Sequence, residues 1–463
     1  MIDRERTRSA LASPAISALA AAVLFRLATS SFVTPPMVQD ALAYTRSAQR
    51  LVARHLFAYS TAWPTAAHVA PNAIVTPGYL VFLAPFYALF GSAQSDATIR
   101  LVQPFVIGAQ SLLAIATVFL VSLIGHRLGG RPSALLTGLL AAAYLPFGWA
   151  ASVSLSESLG AFLVALDLLL ALRFVEADVT RRTWRDAAVF GIASAALVMV
   201  RPVFALWPAA PFVYLVLRRL EPPRRLAVLA ASALLGMALL IAPWTARNAL
   251  VLHRLVPLRT SASAPLLDSL GGSRLAPDER SLWDRAMREQ KDPAAAVAAS
   301  RIRARLRSDA SGFVLERVEW TLRAFSTPWI AVYDVFWEER FQRQTDRVDL
   351  SPDFSGAPTL ALASLAGVSK YYHLGLSAMA AFGLLFVRRR PSVAVVASLP
   401  VYVLASMFTV LPQTRYAFPA APALIVMASV GAAGVIPRVR VAVRARRVPV
   451  SSASEHGGSE RTV

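Results

Sequence analysis

A few charged and hydroxyl side chains in this chain have a spacing that suits chemistry, and they stand at the ends of apolar runs. Asp40 opens QDALAYTRSAQRL, where Asp40, Tyr44 and Ser47 share a helical face while Leu42, Ala43 and Leu51 can rest against a membrane. A carboxylate held at such a surface can act as a general base or a metal ligand, or can cap the helix it opens. Glu157, in SVSLSESLG, stands where two apolar runs meet; it can hold an arginine or an acceptor hydroxyl, or cap a turn. Arg201 opens RPVFALWP, Arg247 ends APWTARN, and Arg415, with Tyr416 beside it, opens RYAFPAAP. Each arginine alone reads as an interface anchor, but three at the ends of three apolar runs suit an anionic phosphate. His68, Lys370, Tyr371, Tyr372 and His373 also fall near such ends. Two histidines so far apart, without HExxH spacing, point only weakly to zinc, and an aromatic interface belt accounts for Tyr371 and Tyr372.

The elements that position these groups must be membrane helices. Apolar residues make up 56% of the 463, charged residues only 16%, and the mean hydropathy is +0.52. Soluble chains carry about 25% charge. Lys and Arg number 47 against 27 Asp and Glu, a net charge of +20 that in this setting indicates basic loops rather than a nucleic-acid partner. Lys291 and Lys370 are the only lysines, so nearly all of the positive charge is guanidinium, which stays protonated and grips carboxylate or phosphate bidentately. The absence of cysteine excludes disulfides, thiolate metal sites and a cysteine nucleophile. No GxxxxGK[ST], GxSxG or GxGxxG motif occurs, so nothing supports a nucleotide or redox cofactor or a serine hydrolase.

Apolar runs of membrane-spanning length cover roughly residues 9–32, 100–125, 133–152, 156–175, 186–200, 202–217, 226–246, 371–387, 391–410 and 415–436. Ten crossings place six arginine clusters, 21 basic residues, in cytoplasmic loops with both termini inside. Thr76 to Gly91 is short and contains Pro85; a full crossing there would invert the following loops, so it reads as a helix dipping into the outer face. Arg201-Pro202 divides 186–217 into two short passes meeting on the outer side. The expected organisation is a membrane module over 1–247, including an outer loop 33–75 and the dipping helix 76–91. An outer loop of amphipathic helices over 248–370, membrane helices over 371–436 and a basic, disordered tail over 437–463 follow it.

The order of these motifs resembles the GT-C integral-membrane glycosyltransferases, specifically the bacterial relatives of the dolichyl-phosphate-mannose protein mannosyltransferases and the lipid A aminoarabinose transferases. The matching pieces are QDALAY after the first span, TPGYLVFLAPFYALFG, SLSES, the span-opening RP, PWTARN and the late RYAFPAAP. The resemblance implies an all-α, GT-C-like bundle of about ten transmembrane helices with outer-face juxtamembrane helices. It also implies transfer of a sugar from a polyprenyl-phosphate donor to an envelope glycan, lipid or protein acceptor, on the outer face of a bacterial cytoplasmic membrane. Asp40 is then the catalytic carboxylate, Arg201, Arg247 and Arg415 bind the donor phosphate, and Glu157, Tyr44, His68 and Tyr416 support them. A divalent metal is an open question, because Asp40 is followed by Ala41 where many relatives carry a second acid. The competing reading is a transporter or lipid flippase, which would place polar residues at mid-membrane and show repeated halves. A scaffold without catalysis would tolerate loss of Asp40.

Overall fold

The computed structural model describes residues 19, 21–23, 39–60, 69–93, 95–260, 263–271, 274–289, 292–326, 359–386, 391–410 and 414–446. Nearly all of the first expected span, His68, residues 327–358, Arg388 to Arg390 and the tail after Arg446 lie outside the described residues. Among the described residues all regular structure is helical.

Helix α1 (Gln39–Arg54) has Asp40 in its first turn and Arg54 in its last, the charge order that the helix dipole favours. Helix α2 (Gly78–Phe90) buries Tyr79, Leu80, Leu83 and Tyr87. Its 13 residues reach only about 20 Å, short of a bilayer core of about 30 Å. It starts hard against the end of another helix: a Cβ on Gly78 would come within 2.6 Å of the Met199 carbonyl.

Helix α3 (Asp96–Ala142) is two arms joined at Gly130, whose φ of 75° suits glycine and few other residues. The arms fold back on each other, and Ser122 Oγ donates to the Ala134 carbonyl at 2.8 Å. The run expected to be a single pass over 133–152 breaks at Tyr144. The break precedes Pro146, which has no N–H to continue the preceding helix and instead sits in the first turn of a short α4 (Leu145–Ser152).

Helix α5 (Glu157–Glu176) is followed by α6 (Trp184–Val200), opened by a Thr183/Asp186 capping box and ended at Arg201-Pro202. Two 3-10 turns (Pro202–Phe204, Trp207–Ala209) then lead into α7 (Ala210–Leu217). Arg201 meets Glu157 at the start of α5, and Phe212 lies 5.4 Å from Phe174 near its end, so the chain doubles back at Arg201. Helix α8 (Pro223–Leu252) runs along α6 and turns Leu234, Leu235 and Leu239 outward, which suits lipid rather than water.

Residues 248–370 contain α9 (Ala264–Ser269), α10 (Pro277–Arg288) and the long α11 (Pro293–Ser326). Helix α12 (Thr359–Gly383) already begins inside this segment, earlier than its apolar run suggested, because Thr359 to Lys370 contains Leu and Ala enough to continue the helix. Helices α13 (Val393–Thr409), α14 (Thr414–Ala417) and α15 (Ala421–Arg446) complete the bundle. The core lies where α15 meets α3 and α5, with Val121, Leu168, Ile425 and Val426 fully enclosed.

Among the described residues four stretches, Asp96–Ala142, Glu157–Glu176, Pro223–Leu252 and Arg415–Ala433, are long and apolar enough to cross a membrane, and shorter apolar helices accompany them. The chain is a multi-pass membrane protein. Its two ends differ in chemistry. At one, Arg127 and Ser392 hold Glu176, and Arg182 binds Glu221 together with the last carbonyls of α5. The other end carries Asp40, Glu157, Arg201 and Arg415.

Candidate active site

Four elements distant in sequence bring these residues together. Asp40 comes from the first turn of α1, Glu157 from the first turn of α5, Arg201 from the break after α6, and Arg415 from α14. Asp40 Oδ2 accepts from Arg415 Nη1 at 2.6 Å, and Asp40 Oδ1 accepts the Tyr59 hydroxyl at 3.1 Å. Glu157 Oε1 accepts from Arg415 Nε and lies 2.6 Å from Arg201 Nη2. Two carboxylates and two guanidiniums thus form a chain with no net charge: Asp40, Arg415, Glu157, Arg201.

Exposure differs along this chain and shows where it meets the surface. Glu157 is 0% exposed, Arg201 8%, Arg415 22% and Asp40 42%, so the network is rooted at Glu157 and opens at Asp40. A buried carboxylate needs compensation, and two arginines supply it. Arg201 reaches Glu157 across Gly160, where a Cβ would stand 3.3 Å from the arginine side chain.

A polar scaffold holds the loop ahead of Glu157. Tyr79 on α2 donates to Gln110 Oε1 at 2.8 Å, and Gln110 Nε2 donates to the Ala151 and Val153 carbonyls. Tyr44 stacks edge-on against Tyr79 at 5.0 Å and tilts against Tyr59 at 5.3 Å, forming an aromatic wall beside Asp40. Burial and the adjacent Asp40 charge push the Tyr44 hydroxyl up to about 12, so it stays a neutral donor. Burial works to raise the Asp40 carboxyl as well. The Arg415 charge and hydrogen bond outweigh it, helped by Tyr59 and Arg201, and hold Asp40 below the usual carboxylate range. Burial, followed by the Asp40 charge, raises the Tyr59 hydroxyl, which keeps its proton to donate.

Tyr59 is the residue of this site that sequence reasoning missed. It lies outside any helix and is fixed by Asn72, which accepts from the Tyr59 N–H at 3.1 Å and donates to the Tyr59 carbonyl at 3.0 Å. No local pattern in LFAYS or APNA announces this pair.

Arg247 is not brought into the cluster. Its guanidinium donates to the Asn72 and Phe57 carbonyls and to Asn248 Oδ1, between the rings of Phe57 and Trp244. It clamps the segment that presents Tyr59. Tyr416 is half-buried and contributes to the field at Arg415. Ser47, on the Asp40 face of α1, spends its hydroxyl on the Ala43 carbonyl at 2.6 Å. His373 lies in the bundle, bonded to Tyr144 and the Phe325 carbonyl, while Tyr371 is largely exposed.

Both Asp40 oxygens and Glu157 Oε1 are engaged by arginine or tyrosine, and the described residues contain no group of three or more His, Cys, Asp or Glu side chains able to share a metal. What the arrangement offers is a pair of oriented guanidiniums next to a carboxylate that stays ionised.

No family model and no curated protein matches the sequence. Solved structures do match. The apo oligosaccharyltransferase of Archaeoglobus fulgidus superposes with a TM-score of 0.52 at 14% identity, over 94% of this chain and 52% of that one. The archaeal oligosaccharyltransferase AglB from Archaeoglobus fulgidus, in complex with an inhibitory peptide and a dolichol-phosphate, gives 0.50 at 15% identity, over 96% and 52%. ArnT from Cupriavidus metallidurans bound to undecaprenyl phosphate gives 0.41 at 14% identity, over 95% and 82%. The chain spans about half the length of the archaeal enzyme it matches. It is a membrane protein whose described residues are all helical and whose fold is like that of the Archaeoglobus fulgidus oligosaccharyltransferase.

Proposed function

We propose that the chain is a glycosyltransferase that moves a sugar from a polyprenyl-phosphate-linked donor to an acceptor hydroxyl at the outer face of a bacterial cytoplasmic membrane. The observation that carries this reading is the convergence of Asp40, Arg415, Glu157 and Arg201 at one end of an apolar bundle, opening at the carboxylate. The GT-C fold supports it, as does the dolichol-phosphate held by the archaeal enzyme. The acceptor is an envelope glycan, lipid or protein.

In this reading the acceptor oxygen attacks the anomeric carbon while the bond from that carbon to the phosphate oxygen breaks, and polyprenyl phosphate departs with the electron pair. Arg201 and Arg415, preoriented by Glu157, face the charge that grows on the leaving phosphate. Asp40 and Glu157 balance the two guanidinium charges, so Arg201 and Arg415 act through oriented N–H donors rather than through an excess of positive charge. Asp40, fixed by Arg415 and Tyr59, orients the acceptor hydroxyl. As a weak base it takes the proton only as the new bond forms. Arg247 acts by holding the Tyr59 segment rather than by touching phosphate.

A photoreactive polyprenyl-phosphate probe tests the phosphate pocket. It labels wild-type membranes in competition with unlabelled polyprenyl phosphate, and Arg201→Ala weakens that competition about tenfold, the loss of one charge-assisted contact. Equal labelling and competition in a folded Arg201→Ala variant would remove this arginine from the pocket.

A further inference from the structure

Helix α1 carries a second cationic feature, distinct from the Asp40 end. Arg46, Arg50 and Arg54 recur every fourth residue and so form one stripe. Arg46 has its counter-ion: it pairs with Asp96 at the start of α3 and also donates to Gln49. Arg50 has none among the described residues. It is 6% exposed, and the one hydrogen bond its guanidinium makes there is from Nη1 to the Ala58 carbonyl at 3.3 Å. Arg54, one turn further on, is exposed and forms no ion pair among the described residues. The sequence contains no Asp or Glu between Asp40 and Asp96, so the stripe has no acidic neighbours along its own chain.

A guanidinium presents five N–H donors, and burying one without a counter-ion is costly. Burial first, then the charges of Arg46 and Arg54, depress the Arg50 pKa, and no carboxylate acts in the other direction. No carboxylate among the described residues balances this charge. We infer that Arg50 and Arg54 form an anion site for a phosphate group, carried by a membrane lipid headgroup or by a phosphorylated solute. It lies ten residues along α1 from Asp40, about 15 Å, and is separate from the proposed leaving-group pocket. Phosphate is the fitting anion because its oxygens match two guanidinium forks at once.

The test uses the full-length chain, with the thermal unfolding midpoint as readout and two probes. One is inorganic phosphate in detergent against sodium chloride at matched ionic strength. The other is phosphatidylcholine nanodiscs with and without phosphatidylglycerol. At least one probe raises the wild-type midpoint, and Arg54→Gln, an exposed substitution that leaves the fold intact, weakens the response about tenfold in apparent affinity. Arg50→Gln weakens it at least as much; if that variant fails to fold, Arg54→Gln decides alone. A response only to phosphatidylglycerol identifies the source as a lipid headgroup, and a response to inorganic phosphate shows that a free phosphate suffices. Phosphate held at Arg201 and Arg415 is insensitive to Arg54→Gln, so an equal response in wild type and variant overturns the inference. No response to either probe overturns it too.

Discussion

Glu157→Gln removes one charge and almost no volume. Glu157 is fully buried, and its Oε1 serves both Arg415 and Arg201, so the four-group network changes from neutral to a net charge of +1 with two guanidiniums facing an amide. Breaking a buried ion pair by removing one partner costs about 3–5 kcal/mol. The lower end applies here, about 3 kcal/mol, because Arg415 keeps Asp40 and is 22% exposed, which lets water screen part of the excess charge. Thermal or denaturant unfolding of the purified protein should show this loss. The double variant Glu157→Gln/Arg201→Gln restores neutrality and should be less destabilised than the sum of the two single changes, with a coupling of about 1–3 kcal/mol. An unchanged unfolding midpoint in Glu157→Gln, or strict additivity in the cycle, would refute the buried pairing on which the site rests.

Tyr59→Phe deletes the hydroxyl that holds Asp40 Oδ1 and should slow sugar transfer about tenfold, roughly the worth of one hydrogen bond to a charged group, with little effect on expression; a full transfer rate would show that Asp40 needs no such support. Asp40 is held below the ordinary carboxylate value of about 3.9, so its contribution to stability is present above that value and is lost as pH falls through its lower folded value. Stability and transfer should therefore show no Asp40 transition between pH 8 and about pH 4, and the acid limb should move to higher pH in Arg415→Gln; a limb near neutrality in wild type would contradict the pairing. Arg317 on α11 is buried, donating to the Phe408 carbonyl at 2.9 Å and to Ser269 at 2.9 Å, and so ties the amphipathic segment to the end of α13. Arg317→Ala should make residues 264–326 cleave faster under limited proteolysis, by a local opening of about 2–3 kcal/mol, and equal cleavage would show that other contacts carry the attachment.

Apolar run length and arginine placement made the membrane class, the short helix at 78–90 and the turn at Arg201-Pro202 readable in the sequence, because bilayer thickness and proline chemistry act locally. Asp40, Glu157, Arg201 and Arg415 stood out for a similar reason, being charges at the ends of apolar runs. Their pairing did not: Arg415 meets Asp40 across 375 residues and Glu157 across 258, and no spacing rule reaches that far. Arg247 stood out by the same cue yet lies among backbone carbonyls, since an arginine at a helix end can satisfy itself on loop oxygens as readily as on a ligand. Tyr59 and Asn72 were silent because their roles depend on a loop with no periodicity. The break at Tyr144 was hidden by an apolar composition that continues across it, with Pro146 as its only sign.

The most direct test of the central claim follows sugar transfer from a polyprenyl-phosphate-sugar pool in membranes containing wild type or Asp40→Asn at matched expression and unfolding midpoint. Asparagine keeps the shape and the acceptor oxygen but removes the charge and the proton-accepting capacity. The account predicts a loss of transfer of at least about a hundredfold, the scale of general-base and orientation effects, with donor binding retained. Undiminished transfer in Asp40→Asn would remove the carboxylate from the mechanism and would contradict the assignment of this cluster as the active site.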